Sequence, residues 1–321
     1  MKQPFITVFV PTYNRKHTLP RLLESLYRQR FSDFELIVVD DGSTDGTFEF
    51  LKEFEKRSTF PMKIIAQENR GKHVARNRAL ERAKGYFFLT IDSDDMLAEN
   101  ALERFKFWWD WISKNIQNSN IIGIEGLCLS LQGRKVLGKP FPKSPIISDY
   151  ISMNFVCDIR GDKTRIIKTD VFRSYKFPEI PGENFITEAT VWNRLALNGF
   201  QFVFVNEVFA LVEYFPSGLS DRSIITRALN PIGARTYYEE FLKQAILRFK
   251  VKKKYILRNL ANFIRYSLHS DHSYQNLFCR MKVIPLNWYW FLVFPLGLAL
   301  FIRDLLYLQG VKQGVKQGVK Q

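Results

Sequence analysis

The sequence predicts an α/β chain: a mostly parallel sheet flanked by helices, followed by a helical C-terminal extension. Three observations carry this. Between Phe5 and Ile91, short apolar runs rich in β-branched residues alternate with stretches whose apolar residues recur at helical spacing, which is the pattern of βαβ units. From about Pro231 onward that alternation gives way to long helical patterns. Finally, 46% hydrophobic and 15% aromatic content, with 29 Phe among 321 residues, supplies enough apolar surface for one large domain and an appendage, and excludes disordered, collagenous and coiled-coil chains.

Phe5–Val10 is the first expected strand, and a helix over roughly Thr18–Arg30 places Leu19, Leu22, Leu23 and Leu26 on one face. Phe34–Val39 is the second strand, Asp45–Phe54 a helix, and Met62–Ala66 the third strand. A helix over Val74–Lys84 is expected to end on Gly85 as its C-cap. Tyr86–Ile91 makes the fourth strand, followed by a Trp-rich helix around Ala101–Ile112 and strands near Ile121–Leu131. A loop-rich region follows, with Pro140, Pro142 and Pro145. Glu188–Leu197 reads as a helix, and Phe202–Val205 and Val208–Glu213 as two late strands. In the extension, Phe241–Leu268 reads as one long helix with a basic face of Lys250, Lys252, Lys253, Lys254 and Arg258. Trp288–Ile302 is free of charge but would reach only about 22 Å against a hydrocarbon core of about 30 Å, and Pro295 and Gly297 interrupt it. It is therefore expected to be interfacial, with Trp288, Tyr289 and Trp290 at headgroup depth.

These shifts set the expected domains: residues 1–230 as the sheet domain, 231–309 as a basic and apolar helical extension, and 310–321, with its Gly-Val-Lys-Gln repeat, as a low-complexity tail. The net charge of +15 lies mostly in the extension, where 15 basic side chains face 4 acidic ones. Such a segment suits an anionic membrane surface or nucleic acid. No nucleic-acid-binding motif is present, and the sheet domain is nearly balanced in charge, so nucleic acid is not expected as a partner. Cys128, Cys157 and Cys279 are too few and too scattered for a disulfide framework or a zinc site, and the start of the chain lacks a secretory pattern, so a cytoplasmic location is expected.

Three polar clusters follow predicted strands, at the carboxyl edge where open parallel sheets bind ligands. Val10-Pro11-Thr12-Tyr13-Asn14-Arg15 follows the first and Asp40-Asp41-Gly42-Ser43-Thr44-Asp45-Gly46 the second. Taken alone, the latter is a turn with a helix N-cap. Asp92-Ser93-Asp94-Asp95 follows the fourth strand. Three carboxylates this close repel one another, which a hard divalent cation such as Mg²⁺ or Mn²⁺ would relieve; a solvated acidic loop is the plainer alternative. Gly71-Lys72-His73-Val74-Ala75-Arg76 opens a helix that either faces a diphosphate or simply begins with exposed charge. Glu188 follows Thr187 and reads by itself as a first-turn acid behind an N-cap. Neither GxGxxG nor GxxxxGK[ST] occurs, which excludes the usual dinucleotide and P-loop sites.

Together these segments resemble the family 2 inverting glycosyltransferases of the GT-A, Rossmann-like fold, over roughly residues 4–220, with Asp92-Ser93-Asp94 as the DXD motif. The resemblance implies a nucleotide-diphosphate sugar, most simply a UDP-sugar, as donor. It places Pro11, Thr12, Tyr13 and Arg15 along the nucleotide, Asp41 on the base, and Arg76 near the base or diphosphate. Asp92, with Ser93 beside it, would hold the ribose and sugar side, and Asp94, with Asp95, the Mn²⁺ or Mg²⁺ ion. In many relatives the base belongs to a Glu-Asp pair at a helix start; here the pair is Glu188-Ala189, which leaves Glu188 as the catalytic base and Glu183 as the weaker alternative. Trp192 is either a core residue or a wall of the acceptor pocket. Tyr214–Ser220 is either a simple turn or a loop over the diphosphate. The Gln-x-x-Arg-Trp signature of processive synthases is absent, which implies addition of one sugar at a time. The implied acceptor is a lipid-linked or surface glycan of bacterial type at the inner face of the membrane; the alternative is an inactive relative that only binds a sugar or partner.

Overall fold

The structure, a computed structural model, describes residues 3–214, 223–270, 274–282, 284 and 289–318, with side chains to Gly310. The chain divides into two compact units. The first comprises residues 1–179 and 194–214, the second residues 180–193 and 215–321.

The first unit opens with β1 (Ile6–Thr12), α1 (Leu19–Tyr27), β2 (Phe34–Asp40), α2 (Thr47–Arg57), β3 (Met62–Ala66), α3 (Lys72–Arg82) and β4 (Phe87–Thr90). These strands are parallel and stand in the order β3-β2-β1-β4. β1 is buried throughout and largely apolar because it is covered on both faces, as parallel strands are. Pro11 is tolerated in it because β4 pairs only Ile6–Phe9, so no neighbour on that side needs its missing N–H. The short strand β5 (Met96–Leu97), α4 (Ala101–Asn115), β6 (Ile121–Ser130), β7 (Ile146–Ser148), β8 (Lys163–Lys168) and α5 (Thr169–Ser174) come next, and β9 (Gln201–Val212) closes the unit. The sheet is mixed: β8 joins β4 and β6 antiparallel, β6 and β9 pair in parallel, and β9 carries β5 and β7 antiparallel. A core runs along one face of it, from Val8 and Leu36 to Phe105, stacked on Phe209 at 3.9 Å.

Several expectations change here. The two late strands are one, with a bulge at residues 205–207 where the Asn206 and Glu207 side chains find partners without a break in the strand. Asn206 exchanges hydrogen bonds with the Phe141 backbone at 2.8 and 2.9 Å, and Glu207 accepts from Arg104 and from Trp108 Nε1 at 2.9 Å. Gly85 is not the C-cap of α3, which ends at Arg82. It is glycine because β1 passes beside it: a Cβ there would meet Thr7 N at 2.2 Å. A Gly85→Ala change forces these backbones apart and costs about 1–3 kcal/mol, measurable by denaturant unfolding.

The second unit holds α7 (Ser223–Leu229), α8 (Pro231–Glu240), a π-turn (Phe241–Ala245), α9 (Ile246–Arg248), α10 (Lys253–Ser270), α11 (Tyr274–Lys282) and α12 (Tyr289–Gly318), while α6 (Ala189–Leu197) begins in it. The expected long helix 241–268 breaks at Phe249, whose backbone is extended (φ −124°, ψ 146°). Lys250, Lys252, Lys253 and Lys254 would stack like charges on consecutive turns of an unbroken helix. α12, by contrast, is continuous. Pro295 lies inside it, and Gly297 lets it approach α10 so closely that a Cβ would meet Ile264 Cβ at 2.6 Å. The segment expected to be too short to span is thus a 22-residue apolar helix, Tyr289–Gly310, of spanning length. Trp288 and the Phe215–Ser220 part of the suspected loop lie outside the described residues, as do the side chains of 311–321.

Candidate functional site

The carboxyl ends of β1, β2 and β4 and the start of α3 meet in the first unit. After β1 the chain turns through Asn14 in the left-handed region (φ 53°). Asn14 N–H donates to Ser43 Oγ at 2.8 Å, Asn14 Oδ1 accepts from Thr44 N–H at 2.8 Å, and Arg15 N–H donates to Thr47 Oγ1 at 3.0 Å. The first and second motifs therefore brace each other. Gly46 is required at the entry to α2, where φ is +83°. Pro11 and Thr12 are buried in strand register with Val39 and Asp40, and Tyr13 beyond them is 46% exposed.

Asp41 organises the approach to α3. Its carboxylate accepts from Gln67 Nε2 at 2.6 Å, Arg70 N–H at 2.9 Å and Gly71 N–H at 2.8 Å, so it holds the loop between β3 and α3. Ser43 Oγ donates to Asp40, whose carboxyl is raised by burial. From the loop that Asp41 fixes, Lys72 reaches Asp92 at 2.6 Å. Arg76 lies beneath, fully buried, with its guanidinium 4.9 Å from the Phe177 ring centre.

The Asp92–Asp95 segment is the turn between β4 and β5, closed by Asp95 N–H donating to Asp92 C=O at 3.0 Å. Carboxylate oxygens of Asp92, Asp94 and Asp95 lie within 4.8 Å of one another, with Ser93 buried between them. Burial first, and the charge of Asp92 second, raise Asp94; Arg15, 3.4 Å away, opposes the shift. Burial together with Asp92 and Asp94 pushes Asp95 up to about 8. Carboxyls held up in this way fit a divalent cation, whose charge would favour the ionised forms of Asp94 and Asp95.

Arg21 and Glu213 complete the frame, and sequence reasoning missed both. Arg21 Nη2 donates to Asp94 C=O at 2.6 Å, Arg21 Nη1 pairs with Glu213 at 2.5 Å, and Glu213 N–H donates to Asp95 Oδ1 at 3.3 Å. No spacing rule marks them, since one lies on the outer side of α1 and the other just past the end of β9.

His73, in the first turn of α3, is 3% exposed, and neither ring nitrogen has a hydrogen-bond partner among the described residues. Burial, helped by Arg76 and Arg70 against Glu179, lowers its pKa from 6.5 to about 4. The native state resists a proton that the unfolded chain accepts below pH 6.5, so this contribution to stability is complete above that pH and is lost as the pH falls toward 4. We expect unfolding free energies of the wild type, relative to His73→Leu, to fall by up to about 1.4 kcal/mol per pH unit across that window. The raised carboxyls act alike in both proteins and cancel in the difference.

In the second unit, Glu188 is half-buried at the start of α6, and its C=O accepts from Val191 N–H at 3.0 Å. Glu183 is committed elsewhere: its oxygens accept from Ile232 N–H at 2.5 Å and Gly233 N–H at 2.7 Å, closing the N-terminus of α8. Trp192 is buried.

Residues 7–126 match the family described as Glycosyl transferase family 2. Over 98 residues the chain is 39% identical to the glycosyltransferase GlyA of Streptococcus pneumoniae, 30% of this chain and 14% of that protein. Over 187 residues it is 29% identical to the Escherichia coli UDP-Glc:alpha-D-GlcNAc-diphosphoundecaprenol beta-1,3-glucosyltransferase WfgD, 58% of this chain and 68% of that protein. The matches to the first three curated relatives span only 14–40% of those proteins' lengths. Among solved structures, residues 1–349 of Staphylococcus aureus TarS in complex with UDP-GlcNAc superpose with a TM-score of 0.62 at 21% identity, covering 98% of this chain and 92% of that one. The mannosyltransferase PcManGT of Pyrobaculum calidifontis in complex with GDP-Man and Mn²⁺ gives a TM-score of 0.55 at 17% identity, covering 95% and 88%. The fold is GT-A, and within it residues 7–126 are similar to the glycosyl transferase family 2 domain.

Proposed function

We propose that this chain is an inverting glycosyltransferase that moves one sugar from a nucleotide-diphosphate sugar, a UDP-sugar, to a hydroxyl of a lipid-linked or surface glycan at the cytoplasmic face of the membrane. The observation that carries this is the half-buried Asp92–Asp94–Asp95 cluster just after β4, flanked by Arg15 and Lys72. The similarity to WfgD, named for UDP-Glc and a diphosphoundecaprenol-linked sugar, and to TarS in complex with UDP-GlcNAc supports the donor and acceptor classes.

In this reading Pro11, Thr12 and Tyr13 border the nucleotide, and Asp41 works chiefly by fixing residues 67–71 around the base. Lys72 and Arg15 neutralise the acidic wall and are ready to meet phosphoryl oxygens, while Arg76 adds positive potential from below. Asp92, with Ser93, faces the ribose and sugar. Asp94, with Asp95, would hold a Mn²⁺ or Mg²⁺ ion, which supplies Lewis-acid stabilisation of the departing diphosphate. Glu188 takes the acceptor proton as the hydroxyl attacks the anomeric carbon opposite the leaving group; one displacement inverts that carbon. Glu183 is a poor rival because both its oxygens cap α8.

Ala189, where relatives place a second acid, favours one other reading, a non-catalytic relative. Incubating the protein with UDP-sugars and undecaprenyl-diphosphate-linked acceptors separates the two. Product whose new linkage has the configuration opposite to the donor's supports the proposal. A retained configuration contradicts inversion, and donor binding without turnover favours the non-catalytic reading.

A further inference from the structure

Helix α12 presents two apolar faces. The inner one, with Trp290, Val293 and Gly297, packs on α10: Trp290 lies 5.9 Å from Phe263, Phe301 lies 4.7 Å from His269, and Gly297 lies against Ile264. It ends at Asp304, which is 1% exposed and bound by Arg265 at 2.5 and 2.9 Å and by His269 at 3.2 Å. On the other side Phe291 is 85% exposed, Leu292 64%, Leu296 52%, Ile302 48% and Leu306 63%. With exposed Pro295 and Ala299 between them, these positions fall on one side of the helix and form one continuous stripe. A surface helix of a water-soluble protein carries polar residues there.

We propose that this outer face of α12 is a docking surface for an anionic lipid leaflet, and that the helix lies along the membrane plane rather than crossing it. Charge argues for the partner: exposed Lys250, Lys252, Lys253, Lys254 and Arg258 belong to the same helical unit, and residues 231–321 carry 15 basic against 4 acidic side chains. Phe278 of α11, 52% exposed and stacked on Phe294, extends the stripe, with exposed Lys282 one turn on. The inner seam argues for the orientation. α12 has the length to span, but α10 runs beside it through the same stretch and is latched to it by Asp304. Crossing would draw Arg265, Asn262 and His269 into hydrocarbon, where ionisable groups are costly. Lying flat keeps the latch under the lipid and the outer stripe in it. This inference rests on the exposure of α12 and is independent of the transferase reading.

The test is co-sedimentation of the full chain with vesicles of phosphatidylethanolamine and phosphatidylglycerol, beside vesicles of phosphatidylcholine alone. Wild type should sediment with the anionic vesicles, bind less as salt rises, and be released by alkaline carbonate. A Phe291→Asp/Leu306→Asp variant should lose roughly ten-fold or more of that partitioning while keeping its thermal unfolding profile, with Leu296→Lys as a second variant that perturbs the same face. Undiminished binding by both variants overturns the proposal, and so does carbonate-resistant wild type, the mark of a spanning helix. A wild type that ignores vesicles also overturns it; if that protein sediments as a dimer that the variants split, the stripe binds a second copy instead.

Discussion

Asp94→Asn is expected to turn over donor about a thousand-fold more slowly than wild type and to lose the tightening of nucleotide binding by Mn²⁺. The change removes a carboxylate from the cluster but keeps its shape, and about 4 kcal/mol of transition-state stabilisation is the scale on which an electrophilic partner of a leaving group acts. Arg15, 3.4 Å from Asp94, loses its counter-charge but remains in place, because its backbone N–H is held by Thr47. Chelation of the wild type should reproduce the loss reversibly. Steady-state kinetics with a UDP-sugar and calorimetry with UDP read both effects; wild-type turnover by the variant would remove the cluster from the mechanism.

Glu188→Gln is expected to lower kcat by about 10²–10⁴-fold while UDP binds as before, since a general base acts on the acceptor proton and not on the nucleotide. Glu183→Gln serves as the contrast. It weakens the cap of α8, in which Ile232 and Gly233 N–H groups are held at 2.5 and 2.7 Å, and so should cost about 1 kcal/mol of stability with little change in kcat. The reverse pattern, with a slow Glu183 variant and an active Glu188 variant, would exchange their roles.

The first unit was largely legible because its local and global signals agree. Met62–Ala66 falls on β3 residue for residue, since a short β-branched run between turns has no competing helical period. Each of the three polar clusters follows a strand, and parallel pairing of β1, β2 and β4 brings those strand ends together, so their proximity was legible from their position in the βαβ pattern. What escaped was non-local. β8 is rich in Lys and Arg and looks exposed, yet it is sandwiched between β4 and β6, where Arg165 is balanced by buried Glu125 at 2.8 Å. Arg21 and Glu213 escaped for the same reason, because their pairing depends on where distant segments arrive. In the second unit Pro295 and Gly297 suggested an interruption, whereas the packing of α12 on Ile264 and the Asp304–Arg265 pair keep the helix whole.

Residues 7–126 are proposed to build a metal-assisted nucleotide-sugar site. This proposal is tested most directly by calorimetric titration of the wild-type protein with UDP in the presence and absence of Mn²⁺, with GDP and dTDP run in parallel. Saturable binding of UDP that tightens when Mn²⁺ is present is the expected result. Absence of binding by all three nucleotides, with Mn²⁺ or Mg²⁺ supplied, would contradict it.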